Sequence, residues 1–128
     1  MDQLEGILEG LYEKAPEWRE LVQKKRDYFL RIGLSISVKD LSIEVHNATW
    51  CPDCVREVTE LMALIALCQN PITLKVISYE DRKAYKEAKK NGRLPIDCLP
   101  TIIFKKSNKE ICRVKESSNG DLSKAFQL

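Results

Sequence analysis

Two cysteines separated by two residues stand where an extended apolar run gives way to a helical pattern. Leu41-Ser42-Ile43-Glu44-Val45 alternates apolar and polar, as a strand does. Trp50-Cys51-Pro52-Asp53-Cys54 follows, and then Val55, Val58, Leu61, Met62, Ile65 and Cys68 recur at helix spacing. A strand feeding a helix through so short a turn points to an α/β architecture. It also sets Cys51 at a helix N-terminus, where N–H groups lack partners and the macrodipole is positive. That position stabilises a thiolate, and the thiolate is the nucleophile. Cys54 lies one turn on, on the same face and deeper, within reach of the Cys51 sulfur. The pair therefore reads as redox chemistry: Cys51 attacks a disulfide and Cys54 resolves the mixed disulfide.

The neighbours of the pair tune it. Pro52 fits the first helical turn, where its missing N–H would be unbonded anyway. Asp53 brings a negative charge close to Cys51 and opposes thiolate formation, partly cancelling the helix-end effect. The expectation is a reductant rather than a strong oxidant. Zinc is the rival use of a CxxC, but zinc wants four ligands, and His46, Cys68, Cys98 and Cys112 are singletons. No metal is expected, and no bound cofactor.

Composition sets the frame. The 128 residues suit one domain spanning 1–128, and 44% hydrophobic residues suit a globular chain. A net charge of +2 gives no reason to expect nucleic acid or membrane binding. No apolar run approaches the roughly 18 residues a membrane span needs. The sequence Met1-Asp2-Gln3-Leu4-Glu5 lacks a basic n-region and an apolar h-region, so a cytoplasmic location is expected. Five cysteines suit one catalytic pair plus structural thiols in a reducing compartment.

Along the chain, 1–32 reads as two helices. Leu4, Ile7, Leu8, Leu11 and Tyr12 form the first stripe. Pro16 is expected in the first turn of the second helix, with Trp18, Leu21, Val22, Phe29 and Ile32 inward and Gly33 as its stop. Ser35 to Lys39 is an edge strand or a loop. The cysteine helix is expected from Pro52 to about Gln69, before Asn70-Pro71. Ile72 to Ile77 reads as a strand and Asp81 to Asn91 as a short charged helix capped by Gly92. Pro100 to Phe104 and Glu110 to Lys115 read as a hairpin, and Gly120 to Leu128 as a last helix. The two strands joined by a helix should be parallel, and the hairpin pair antiparallel.

The cysteine motif after a strand, with Leu99-Pro100-Thr101 opening a later one, resembles the thioredoxin superfamily, over roughly residues 40–127. More narrowly it is similar to a divergent bacterial thioredoxin-like branch. The resemblance implies a thioredoxin-like α/β fold, a central four-stranded mixed sheet (βαβαββα) over 40–128, with a helical extension (1–34) in place of the usual first strand. It implies a protein disulfide reductase working through Cys51 and Cys54. Pro100 matches the family's cis-proline, which packs against the CxxC, and Trp50, Leu99, Pro100 and Thr101 would line the substrate groove. The partners implied are protein disulfides and an electron-donating reductase or low-molecular-weight thiol.

This chain departs from the family in three places. The CxxC encloses Pro-Asp instead of Gly-Pro. Val45 stands where the family has a buried acid, and Glu44, one residue off, should face the other side of the sheet. Glu116-Ser117-Ser118 replaces a glycine-containing loop. Asp53, His46 or water are the alternatives for the proton role. A glutaredoxin-like, glutathione-dependent reductase is the rival within the class, supported by the CPxC spelling. A non-catalytic binding module, with the helical extension as interface or homodimer surface, is the rival outside it. Cys98, two residues before Pro100, is either a regulatory thiol or a small loop residue. Cys68 and Cys112 read as structural.

Overall fold

A computed structural model describes residues 2–120 and 122–126. Two helices come first, α1 (Asp2–Lys14) and α2 (Trp18–Arg31). Then follow β1 (Leu41–Asn47), α3 (Pro52–Ile65), β2 (Thr73–Ser78), α4 (Arg82–Lys90), β3 (Thr101–Lys106), β4 (Lys109–Lys115) and α5 (Leu122–Ala125). The four strands form one mixed sheet in the order β2-β1-β3-β4. β1 and β2 are parallel, with Val45 opposite Val76, and β1–β3 and β3–β4 are antiparallel. Ser107 and Asn108 both take positive φ, as the tight turn of the hairpin requires.

α3 is the central packing element. Nine of its fourteen residues are buried, among them Val58, Leu61 and Met62. They pack into one core with Ile43 and Val45 of β1, Ile102 and Phe104 of β3, and Leu122 and Phe126 at the C-terminal end. Phe104 and Phe126 meet edge to face at 5.2 Å. Fully burying a side chain of that size contributes about 1.5–3 kcal/mol.

The helical extension rests on α3. Trp18 and Val22 of α2 are buried, and Val22 lines a cleft with Tyr12, Met62 and Ala66. Lys25 of α2 turns toward α3. Its ammonium donates to the Arg56 carbonyl at 2.8 Å and the Thr59 hydroxyl at 2.7 Å. Burial lowers its pKa, more than nearby Glu60 and Glu57 raise it.

Several boundaries differ from the sequence reading. Pro16 lies in the turn ahead of α2, where its carbonyl accepts the Arg19 N–H. Ile32 is 58% exposed, because it is the cap residue beyond the last helical position. Gly33 then takes φ +75°, and the Gly33 and Leu34 N–H groups return to Leu30 and Phe29. α3 stops at Ile65, four residues early. The Leu67 and Cys68 N–H groups tighten back onto Leu64 and Ile65, and the Gln69 N–H leaves for the Ile36 carbonyl at 2.8 Å. Residues 35–39 are thus a loop with a single parallel bridge, Ile36 to Cys68. Cys68 sits past the helix rather than on its face, and burial pushes its thiol up to about 11. The last helix covers Leu122–Ala125, and Asp121, Gln127 and Leu128 of its expected span lie outside the described residues.

Candidate active site

The parallel strands β1 and β2 end side by side, and each hands the chain to a helix. After β1 come Ala48, Thr49 and Trp50, and then Cys51 as the N-cap of α3. The Cys51 backbone is extended (φ −93°, ψ 117°), and its N–H returns to the Ala48 carbonyl at 3.2 Å. Its sulfur takes the place a serine or aspartate oxygen holds in an ordinary cap, accepting the Cys54 N–H at 3.4 Å. A sulfur so placed is stabilised when it carries negative charge. Pro52 occupies the first helical position.

Cys51 is 7% exposed and Cys54 0%. Both carry free thiols. Burial drives the Cys54 thiol far above the ordinary cysteine range, and the neighbouring Cys51 sulfur raises it further. Cys54 therefore holds its proton at neutral pH, and Cys51 is the more exposed of two buried residues.

Leu99 and Pro100 lead into β3, the neighbour of β1 on the side away from β2. The Leu99–Pro100 peptide bond is cis. The Cys51 thiol lies 3.7 Å from the Leu99 carbonyl oxygen and donates to it. Thr101 is placed differently from its neighbours. It is 1% exposed, and its hydroxyl donates to the Cys98 carbonyl at 2.8 Å. This bond braces the loop that leads into β3. Cys98 is buried beside it, its sulfur 3.9 Å from the Thr101 hydroxyl.

Trp50 is half-buried, and its indole N–H donates to the Tyr79 carbonyl at 2.8 Å. Its ring meets Tyr85 of α4 at 5.6 Å, and the Arg82 guanidinium lies 5.2 Å from the ring centroid. Tyr85 in turn contacts Tyr79 at 5.7 Å. Burial raises the Tyr85 phenol, and Cys98, Cys51 and Cys54 add to the effect, so α4 borders the thiols. Glu80 completes the fastening: its carboxylate accepts both the Thr49 hydroxyl at 2.6 Å and the Thr49 N–H at 3.1 Å.

Three charged or titratable groups have roles that spacing alone did not reveal. Asp53 is paired with Arg56 at 3.1 Å, so its charge beside Cys51 is offset by a guanidinium one turn away. Arg56 also reaches Glu57 at 3.0 Å. Glu57 is only 3% exposed and accepts the Ser118 hydroxyl at 2.6 Å, tying α3 to the loop after β4. The sequence signal was present: Ser118 lies in the stretch that departs from the family loop, and Glu57 falls between apolar positions of α3. His46 is 2% exposed, and both ring nitrogens are engaged, one by Tyr79 and one by Glu44, each at 2.8 Å. It orients Tyr79 and has no ring nitrogen left over for a thiol proton. Val45 is fully buried in the core.

No protein-family model matches this sequence, and no curated protein matches it. Solved structures do. One is thioredoxin-2 of the malaria parasite, described as a component of its protein secretion machinery. It is 22% identical with a TM-score of 0.50, covering 73% of this chain and 93% of that one. A protein of unknown function from Pseudomonas aeruginosa is 18% identical with a TM-score of 0.51, over 87% of this chain and 75% of that one. An HIV epitope-scaffold protein is 18% identical with a TM-score of 0.55, over 87% and 81%. The class is therefore an α/β protein with a four-stranded mixed sheet. More particularly, the chain has the thioredoxin fold.

Proposed function

We propose that this chain is a thiol–disulfide oxidoreductase that reduces protein disulfides through Cys51 and Cys54. The observation that carries the reading is the Cys51 sulfur at the head of α3, receiving the Cys54 N–H at 3.4 Å and lying against the Leu99 carbonyl.

The Cys51 thiolate attacks one sulfur of a substrate disulfide. A bond forms between Cys51 and that sulfur, and the other substrate sulfur leaves as a thiolate that takes up a proton. Cys54 then loses its proton and attacks the Cys51 sulfur. The second substrate sulfur departs, again protonated, and the Cys51–Cys54 disulfide remains. Two electrons have passed to the substrate. An external dithiol or low-molecular-weight thiol returns them. Burial raises the Cys54 pKa, so Cys54 has to give up its proton before it can make the second attack.

Insulin reduction with dithiothreitol tests this. Wild type is expected to accelerate precipitation, and Cys51→Ser to run at the rate of dithiothreitol alone. Equal rates for the two proteins sink the proposal. Cys54→Ser should hold substrates as mixed disulfides on Cys51, visible as an adduct by mass spectrometry.

A further inference from the structure

We infer that the outer face of α4 is a docking surface for acidic segments of the protein whose disulfide is reduced. This rests on the redox reading above and assigns a chemical class to its partner.

Residues 81–93 hold six cations, Arg82, Lys83, Lys86, Lys89, Lys90 and Arg93, against two carboxylates, Asp81 and Glu87. The whole chain carries only +2, so the remainder is net acidic. All six cations are exposed, and none is in an ion pair among the described residues. Elsewhere the ion-paired cations are Arg19, Lys24, Arg56, Arg113 and Lys115, and other surface cations such as Lys14, Arg31 and Lys75 also lack such a pair among the described residues, so what sets 81–93 apart is six cations on one short segment. The Asp81 carboxylate is already used, accepting the Ala84 N–H as the helix cap at 3.0 Å.

Lys89 and Lys90 suit the C-terminal end of the helix, but its first turn is charged against the macrodipole. Arg82 and Lys83 occupy its first turn, where the macrodipole favours anions, and that turn holds no acidic residue. Arg82 and Lys86, and Lys86 and Lys90, repel at i,i+4. Only Tyr85 is buried, so packing does not require these residue types. A solvated face needs charge, but it does not need one sign laid out in this way.

The location supplies the purpose. Arg82, Tyr85 and Lys89 recur at i, i+3 and i+7 and share a stripe. Tyr85 and Arg82 both lie on Trp50, the residue before Cys51. The nine-residue helix is about 13 Å long, so its cations lie within a Debye length or two of the thiols. A field of one sign beside a reactive group steers oppositely charged partners toward it and selects among them.

The test uses two cyclic peptides, each closed by one disulfide, identical except for Asp/Glu or Lys residues beside it. At about 20 mM salt the acidic peptide is expected to show a kcat/KM about tenfold higher, shrinking below about threefold near 300 mM. The triple variant Lys83→Glu, Lys86→Glu, Lys90→Glu should reverse the preference while leaving turnover of neutral 2-hydroxyethyl disulfide unchanged. A preference absent or insensitive to salt, or unmoved in the variant, overturns the inference. A fluorescent linear acidic peptide without cysteine reads binding independently of turnover. Its salt-sensitive binding in a protein that reduces nothing would retain the surface and remove the redox reading. Reduction without charge preference would do the opposite. Tighter binding of single-stranded RNA than of the acidic peptide would make the surface a nucleic-acid site and overturn the proposal.

Discussion

α3 and α4 are alike in origin and opposite in character. Each follows one of two adjacent parallel strands, and each begins at the same end of the sheet. Yet nine of fourteen residues in α3 are buried, whereas Tyr85 is the one buried residue in α4. The charges near the start of α3 are paired with each other, and those of α4 face water unpaired. The two positions demand different things. α3 lies across the core and carries the cysteines, so its geometry has to be fixed by packing. α4 touches the site through Tyr85 and Arg82, and most of its surface is free for other uses. One helix fixes where the sulfur is, and the other shapes what approaches it.

The sharpest way to break this contrast is to cut both helices. Leu61→Ala in α3 is expected to cost about 2–5 kcal/mol in urea unfolding, since the cavity has no room to collapse. Lys86→Ala in α4 should stay within about 0.5 kcal/mol of wild type. Comparable losses would mean that α4 is structural too. Next in size is Glu57→Ala, which strands the Ser118 hydroxyl and removes a partner of Arg56. It should cost about 1–3 kcal/mol, with Glu57→Gln recovering part of that. A silent Glu57→Ala would show that the loop after β4 is held by other means.

Tyr79 lies on the seam between the two helices, since its carbonyl holds Trp50 and its ring contacts Tyr85. Tyr79→Phe deletes the hydroxyl bonded to His46 and should cost about 1 kcal/mol. Trp50 emission in a Trp18→Phe background should shift with it. The smallest effect concerns Glu44, whose carboxyl is held below the usual glutamate range, chiefly by its hydrogen bond with His46. A depressed folded-state value adds stability above the ordinary value, about 4.3, and loses it as pH falls through the folded value. Glu44→Gln should flatten that acid limb in stability measured from roughly pH 5 down to pH 3. An unchanged slope would remove Glu44 from the account.

Much of the fold was legible because its strongest signals are local. The alternation over 41–45, the helix period after Cys54 and the Pro100 strand each depend on near neighbours, and the parallel β1–β2 and antiparallel β3–β4 pairings follow from how they connect. The early end of α3 was not legible. It depends on Ile36, thirty-odd residues upstream, taking the Gln69 N–H. The inward turn of Lys25 was not legible for a similar reason: only the carbonyl of Arg56, on another helix, shows where its ammonium is satisfied. At the site, Cys51 and Cys54 declare themselves by spacing. The pairing of Asp53 with Arg56 and the burial of Glu57 are products of tertiary packing. The charge on α4 was visible as a run of residues, but its meaning came from Tyr85 setting that helix against Trp50.

The sheet order has one more consequence. β4 ends the sheet, and its outer backbone groups are a ready template for another chain. It is guarded accordingly: four of its seven residues, Lys109, Glu110, Arg113 and Lys115, are charged, Glu110 and Arg113 are clasped together, and the pairing with β3 shifts register between Phe104 and Lys105. A strand laid alongside would have to accommodate that kink and strip water from those charges. The same hairpin whose first strand follows Leu99 and Pro100 thus ends the sheet in an edge poorly suited to further pairing.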